Sequence, residues 1–118
     1  MKIDLITENG FLIARAISNE IIIYDAQDAL DLMANCDYLG ARSVIVNHNQ
    51  ITPEFFDLKT GIAGEILQKF STYDFKLAIV GDFSNITSKS LRDFIYESNK
   101  YKRVNFVGSL EEAKAVLK

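Results

Sequence analysis

Thr52-Pro53-Glu54-Phe55-Phe56-Asp57-Leu58-Lys59-Thr60-Gly61-Ile62-Ala63-Gly64-Glu65-Ile66-Leu67 lies between two apolar runs, Val44-Ile45-Val46 and Lys76-Leu77-Ala78-Ile79-Val80. A strand, a short polar connection, a helix opening at Thr60-Gly61 and a return strand make one βαβ unit. Such units bring helix N-termini and loop polar groups to one border of a sheet, where ligands and partners commonly bind. Thr52-Pro53 starts a helical turn, because proline suits the first helical position. Asp57 is read as the cap of the helix that follows, with Ile62, Ile66, Leu67 and Phe70 as its apolar face. Gly61 and Gly64 each cost this helix about 1 kcal/mol relative to alanine. Close approach of its backbone to the sheet is the expected return.

Outward from this unit, the same alternation continues. Residues 2–7 and 11–16 read as strands joined at Asn9-Gly10, a hairpin signal because both residues tolerate positive φ. Ile21-Ile22-Ile23-Tyr24 is a third β-like run, either an edge strand or the approach to a helix. Asp25 caps a helix reaching to about Asp37, whose inward stripe is Ala26, Ala29, Leu30, Met33 and Cys36, stopped by Gly40. Ser43 to Asn47 is the unbroken apolar strand of a sheet covered on both faces. After the Lys76–Val80 strand, Thr87 or Ser88 caps a helix with Leu91, Phe94 and Ile95 inward. A last strand spans Val104–Val107, and Ser109 with Glu112 is a capping box for a final helix. The expected architecture is α/β: an N-terminal β-hairpin, then alternating β-α units, a mixed sheet and about four helices in one domain over 1–118.

Composition removes several functional classes. The chain has 118 residues, 48% of them hydrophobic, and a net charge of −3. One core is expected at this size, and neither disorder nor a nucleic-acid-binding face fits. No apolar stretch approaches the ~20 residues needed to cross a bilayer. One cysteine, Cys36, excludes an internal disulfide, and the start Met1-Lys2-Ile3-Asp4 runs directly into a strand, so a cytoplasmic location without a targeting segment is expected.

The element order, the Thr60-Gly61-Ile62-Ala63 helix start, the Lys76–Val80 strand, and Val104–Val107 followed by Ser109-Leu110-Glu111-Glu112-Ala113 resemble a STAS domain. That is the fold of bacterial anti-sigma-factor antagonists and of sulfate-transporter tails. The resemblance implies a STAS-like regulatory module, with one departure. Antagonists carry an acidic residue, two hydroxyl residues and then glycine, the first hydroxyl being phosphorylated. Here Thr60 fits the second hydroxyl, Lys59 occupies the phosphorylated position, and Asp57 sits one place early. A second likeness is closer. Asp28-Ala29-Leu30-Asp31-Leu32-Met33-Ala34, Phe55 to Gly61, Gly64-Glu65-Ile66-Leu67-Gln68-Lys69-Phe70 and Ser88 to Asn99 are similar to a bacterial family known as domain of unknown function 4180. That likeness implies no activity, because none is assigned to the family.

Candidate site residues follow from the expected border. His48 and Asn49 follow one strand, Asp82 and Ser84 the next, and Gly108-Ser109 the last. Asp57, Lys59, Thr60, Gly61, Ser88 and Ser90 stand near helix starts, with Arg92 one turn beyond Ser88. The set suits hydrogen bonding to an anion or a partner loop. The plainer alternative is that each side chain caps its own helix or turn. His48, the only histidine, could act as a base with Asp82 or Asp57 in a small hydrolase or transferase; the plainer reading is a loop histidine without orienting partners. The sequence shows no P-loop, dinucleotide fingerprint, nucleophile elbow or metal-ligand spacing. Cys36 reads as core. Tyr96, Tyr101 and Phe83 read as an exposed aromatic patch that would favour a protein contact. The expectation is therefore a non-enzymatic regulatory or scaffold module, without cofactor or metal. It would bind a protein partner or small anionic ligand at this border, without nucleic acid or membrane. A homodimer paired through Ile21–Ile23 is the remaining alternative, since an exposed apolar edge invites pairing.

Overall fold

The computed structural model describes residues Met1–Lys118. Its elements are β1 (Lys2–Glu8), β2 (Phe11–Ile17), α1 (Ala26–Tyr38), β3 (Ser43–Asn47), α2 (Ile62–Thr72), β4 (Lys76–Val80), α3 (Lys89–Tyr101), β5 (Val104–Val107) and α4 (Leu110–Val116). Three single-turn 3-10 helices, His48–Gln50, Pro53–Phe56 and Leu58–Thr60, fill the path from β3 to α2. All strands form one sheet in the order β1-β2-β3-β4-β5, antiparallel between β1 and β2 and parallel beyond. The expected α/β class, hairpin, mixed sheet and four helices are all present. Asn9 and Gly10 both take positive φ, 50° and 84°, the type I′ turn that matches strand twist.

The two faces of the sheet are covered unequally. Ala14, Ala16, Val44, Val46, Leu77, Ile79, Val104 and Phe106 point to one side. There they meet Ala29, Leu32, Met33 and Cys36 of α1, Ala63, Ile66 and Phe70 of α2, and the half-buried Phe94 and Ile95 of α3. Ile13, Ile45, Ala78 and Val107 point to the other and meet Ala113 and Leu117 from the α4 segment. Alternate residues of each strand thus serve opposite cores, which is why the strands read as unbroken apolar runs. Helix starts are capped as the sequence suggests: Asp25, Ser88 and Ser109 each accept a backbone N–H three residues on. Leu32 joins the inward stripe of α1, while Ala26 and Leu30 are half-buried.

Three expectations are corrected here. α2 begins at Ile62, just past the expected Thr60-Gly61 opening, but its cap is not Asp57, and Gly61 lies outside the helix at φ 77°, a left-handed conformation that favours glycine. Gly64 is exposed, and a Cβ there would have nothing within 4 Å, so no close approach to the sheet explains it. Ile21–Ile23 is not an edge strand. Its backbone is already engaged: Ile22 N–H and Ile23 N–H both donate to the Gln50 carbonyl (2.7 and 3.1 Å), and Thr52 N–H donates to the Ile23 carbonyl (2.9 Å). The run is instead the approach to α1, the other expected reading, and most of the backbone groups a second copy would pair with are taken within the chain.

Candidate functional site

β3, β4 and β5 are parallel, so their C-terminal ends open onto one rim of the sheet. The segments leaving that rim begin at His48, Gly81 and Gly108. His48 lies directly against Gly81: a Cβ on that glycine would fall 2.9 Å from the imidazole Nδ1, so a side chain at position 81 would push the ring aside. One open cleft, about 330 Å³, is lined by Ile21, His48, Asn49, Ile51, Pro53 and Phe56. A second, about 310 Å³, is lined by Gly81, Asp82, Phe83, Ser84, Phe106, Val107, Gly108 and Glu112. Phe56 of the first cleft and Phe83 of the second pack together at 6.2 Å between ring centroids, so the two clefts adjoin. Phe83 also meets Phe106 edge-on at 5.4 Å. It is therefore half-buried and anchored, and does not form an exposed patch with Tyr96 and Tyr101, which lie open to solvent on α3.

The long segment between β3 and α2 is irregular, yet its polar groups are matched. Gln50 is buried to 1% exposure. Its Oε1 accepts from Asn47 N–H (2.9 Å), and its Nε2 donates to the carbonyls of Ala16 (3.2 Å) and Ser18 (3.1 Å). One side chain thereby ties the end of β2 to the end of β3, beneath His48 and Asn49. Thr60 Oγ1 donates toward the Glu54 and Asp57 carbonyls (2.8 and 2.9 Å) and accepts from Ile62 N–H (3.2 Å). Its hydroxyl proton is spent on the chain itself and is not offered to a ligand. Asp57 Oδ1 accepts from Lys59 N–H (3.3 Å), capping the 3-10 turn rather than α2.

Asp82 Oδ1 accepts from both the N–H (3.0 Å) and the hydroxyl (2.6 Å) of Ser84. These two donors hold the Asp82 carboxyl below the usual carboxylate range. Ser88 Oγ accepts from Leu91 N–H, and the Arg92 guanidinium reaches back toward the Ile86 carbonyl at 3.5 Å; neither residue lines a cleft. The Lys59 side chain makes no ion pair. His48 and Asn49 are both exposed, and their side chains make no hydrogen bond within the chain. No carboxylate forms an ion pair with the His48 imidazole, so the proposed His48–Asp82 or His48–Asp57 dyad is not assembled. No three His, Cys, Asp or Glu side chains gather to hold a metal ion. Burial pushes the Cys36 thiol up to about 12.

The structure thus brings His48, Asn49, Asp82 and Ser84 to two adjoining clefts. Asp57, Lys59, Thr60 and Gly61 build the turn that leads into α2, and Ser88 and Arg92 organise the start of α3. Sequence reasoning missed Gln50, Phe56 and Gly81, and read Glu112 only as the capping-box partner of Ser109, whereas its Oε2 accepts from Gly108 N–H (3.0 Å). A glycine directly after an apolar strand was the available sign for Gly81; Gln50 carries no periodic signal. A cluster of cations lies elsewhere. Arg42, Lys76 and Arg103 stand at the opposite, N-terminal ends of β3 to β5, around Asp74, whose carboxyl Arg103 at 2.7 Å holds below its usual range.

No helix is long and apolar enough to cross a membrane. No curated protein and no solved structure matches the chain. A family model does match, over residues 8–117, which takes in the whole sheet beyond the first strand, all four helices and every residue of the rim. The chain belongs to the family described as domain of unknown function (DUF4180).

Proposed function

We propose that this chain is a non-enzymatic binding module, of regulatory or scaffold type, that receives a protein partner on the rim formed by the two adjoining clefts. One observation carries the reading. His48 and Asn49 are exposed polar side chains with no structural bond to make, and they stand beside the half-buried Phe56 and its neighbour Phe83. Polar groups next to partly exposed aromatic rings on a firm base are the ingredients of a protein contact. A small anion is the weaker occupant. Glu54, Asp57, Asp82 and Glu112 stand around the rim, neither cleft is lined by a lysine or arginine, and Arg42, Lys76 and Arg103 cluster at the far end of the sheet. Likeness to the antagonist switch adds little, because Lys59 holds the phosphorylated position and the Thr60 hydroxyl is engaged by backbone.

The test is comparative affinity capture with the full chain. Wild type, the double variant His48→Ala/Asn49→Ala and a control, Tyr38→Ala, are immobilised and exposed to native lysate. Tyr38 is 89% exposed on α1, away from the rim. A partner retained by wild type and Tyr38→Ala but lost from the double variant supports the reading. A partner held equally by all three rejects this surface.

A further inference from the structure

The two edges of the sheet are treated differently. At β5 the outward backbone groups are occupied by α3. Asn99 Nδ2 donates to the Phe106 carbonyl (3.1 Å), Phe106 N–H donates to Asn99 Oδ1 (2.6 Å), and Ser98 Oγ donates to the Val104 carbonyl. A side-chain amide there takes the place of a sixth strand, so that edge cannot pair with another chain.

At β1 nothing comparable occurs. The type I′ turn makes Glu8 and Phe11 a hydrogen-bonded pair, and the pattern alternates from there, so Ile3, Leu5 and Thr7 lie at non-hydrogen-bonded positions opposite Ala16, Ala14 and Leu12. An independent contact agrees: the Ala16 carbonyl is taken by Gln50 on the side away from β1. The N–H and C=O groups of Ile3, Leu5 and Thr7 therefore face outward, and no hydrogen bond in the structure reaches them. The strand is seven residues long, without proline or bulge, and Leu5 on it is 43% exposed. Long, regular, uncovered edges of this kind are templates for pairing.

We propose that β1 pairs antiparallel with β1 of a second copy of this chain, about a two-fold axis at Leu5. The sequence of the strand selects both the occupant and the register. With Leu5 opposite Leu5, Ile3 faces Thr7 and Lys2 faces Glu8. Every outward-facing residue then meets another outward-facing residue, giving two hydrogen bonds at the Leu5 pair and two at each Ile3–Thr7 pair. Lys2 of one copy stands opposite Glu8 of the other, twice by symmetry, at the closer non-hydrogen-bonded positions. Sliding the strands by one repeat either way opposes Asp4 to Asp4 or Asp4 to Glu8, which like-charge repulsion disfavours. A slide of two repeats sets Lys2 opposite Asp4 but overlaps only residues 2–4 of the strand, so the Leu5 register alone combines opposed charges with use of the whole strand. The pairing joins two five-stranded sheets into one and packs the two Leu5 side chains against each other on the face that carries Ala14 and Ala16.

The test is sedimentation of the full chain over a concentration series, with amide hydrogen exchange. Wild type is expected to dimerise, with the Ile3, Leu5 and Thr7 amides protected only at concentrations where the dimer forms. Leu5→Pro removes an outward N–H and leaves the β1–β2 ladder intact, so it is expected to be monomeric with an unchanged circular dichroism spectrum. K2E should weaken dimerisation about tenfold, and K2E/E8K should restore it. A wild-type chain that stays monomeric up to about 1 mM overturns the proposal. So does Leu5→Pro dimerising like wild type, or K2E/E8K associating no better than K2E.

Discussion

Replacing Gln50 should damage this protein more than its place in a short polar loop suggests. The side chain is 1% exposed and makes three hydrogen bonds, one accepted and two donated. Gln50→Ala leaves Asn47 N–H and the Ala16 and Ser18 carbonyls without that partner. At a net ~1 kcal/mol per bond the loss is about 3 kcal/mol. Total stability for a chain of this size is about 6–18 kcal/mol, so the loss is a large share of it. Urea unfolding reads it directly: with a slope of about 1.5 kcal/mol/M, the midpoint falls by about 2 M. Gln50→Glu sharpens the test. Its carboxylate can still accept from Asn47 N–H but turns an acceptor toward two carbonyl oxygens, and burial further disfavours its charge. The folded-state pKa of that carboxyl must then rise above its unfolded value of about 4.3. The native state holds the proton more tightly than the unfolded chain, so the variant recovers stability as pH falls through the folded pKa. The recovery is about 1.4 kcal/mol per pH unit until the unfolded value is reached. Unfolding at pH 8 and pH 5 should therefore give a smaller deficit at pH 5. A Gln50→Ala loss under about 1 kcal/mol, or a Gln50→Glu deficit equal at both pH values, refutes the clasp.

The two glycines of the Gly61-x-x-Gly64 pair should respond in opposite directions. Gly64→Ala adds a methyl to an exposed helical position with open space around it and should stabilise by about 1 kcal/mol in thermal or urea unfolding. Gly61→Ala forces a side chain into left-handed backbone and should destabilise by about 1 kcal/mol in the same assay. Asn99→Ala removes both hydrogen bonds to Phe106, and should cost about 2 kcal/mol and raise the aggregation rate followed by light scattering, because it uncovers the β5 edge. Cys36, buried and with its thiol pushed up to about 12, should react with a thiol reagent at pH 8 roughly a thousandfold more slowly in the native chain than in denaturant. Equal rates would show that the α1 face opens readily.

The alternation of strand and helix was legible because it rests on local chemistry. Apolar runs of strand length, the Asn9-Gly10 turn and the Asp25, Ser88 and Ser109 caps each act within a few residues. The cap of α2 was misread for a related reason. Asp57 is a good cap, but the turn it caps lasts three residues, and Gly61 then reverses the backbone before the helix proper. A local signal names a cap without saying how far the turn will run. Ile21–Ile23 looked like a strand because of its β-branched composition. Its fate was decided by the Gln50 carbonyl, far away in sequence, which took the Ile22 and Ile23 amides. The rim was legible as a place, since parallel strands must end together. Its division of labour was not, because that depends on which side chains find backbone partners across the fold.

That division is the strongest guide to function here. Short polar side chains are abundant around the rim, and most are accounted for by what they hold. Thr60 fastens the 3-10 turns, Asp57 and Ser88 cap, Ser84 locks Asp82, and Gln50 clasps two strand ends. Each satisfies a backbone or side-chain group that would otherwise compete with a ligand for solvent-exposed bonding, and together they stiffen a long irregular segment. His48 and Asn49 do none of this, although they lie on the turn that the Gln50 clasp holds. The rigid backbone beneath them loses little further entropy when a partner arrives, so only the ordering of the side chains themselves opposes binding. The same subtraction applied to the sheet edges leaves β1 as the edge whose backbone groups no side chain engages. If the Gln50 clasp is broken and partner capture by His48 and Asn49 falls while β1 pairing persists, the two surfaces act independently, although only β2 lies between the β1 edge and the strand that carries His48.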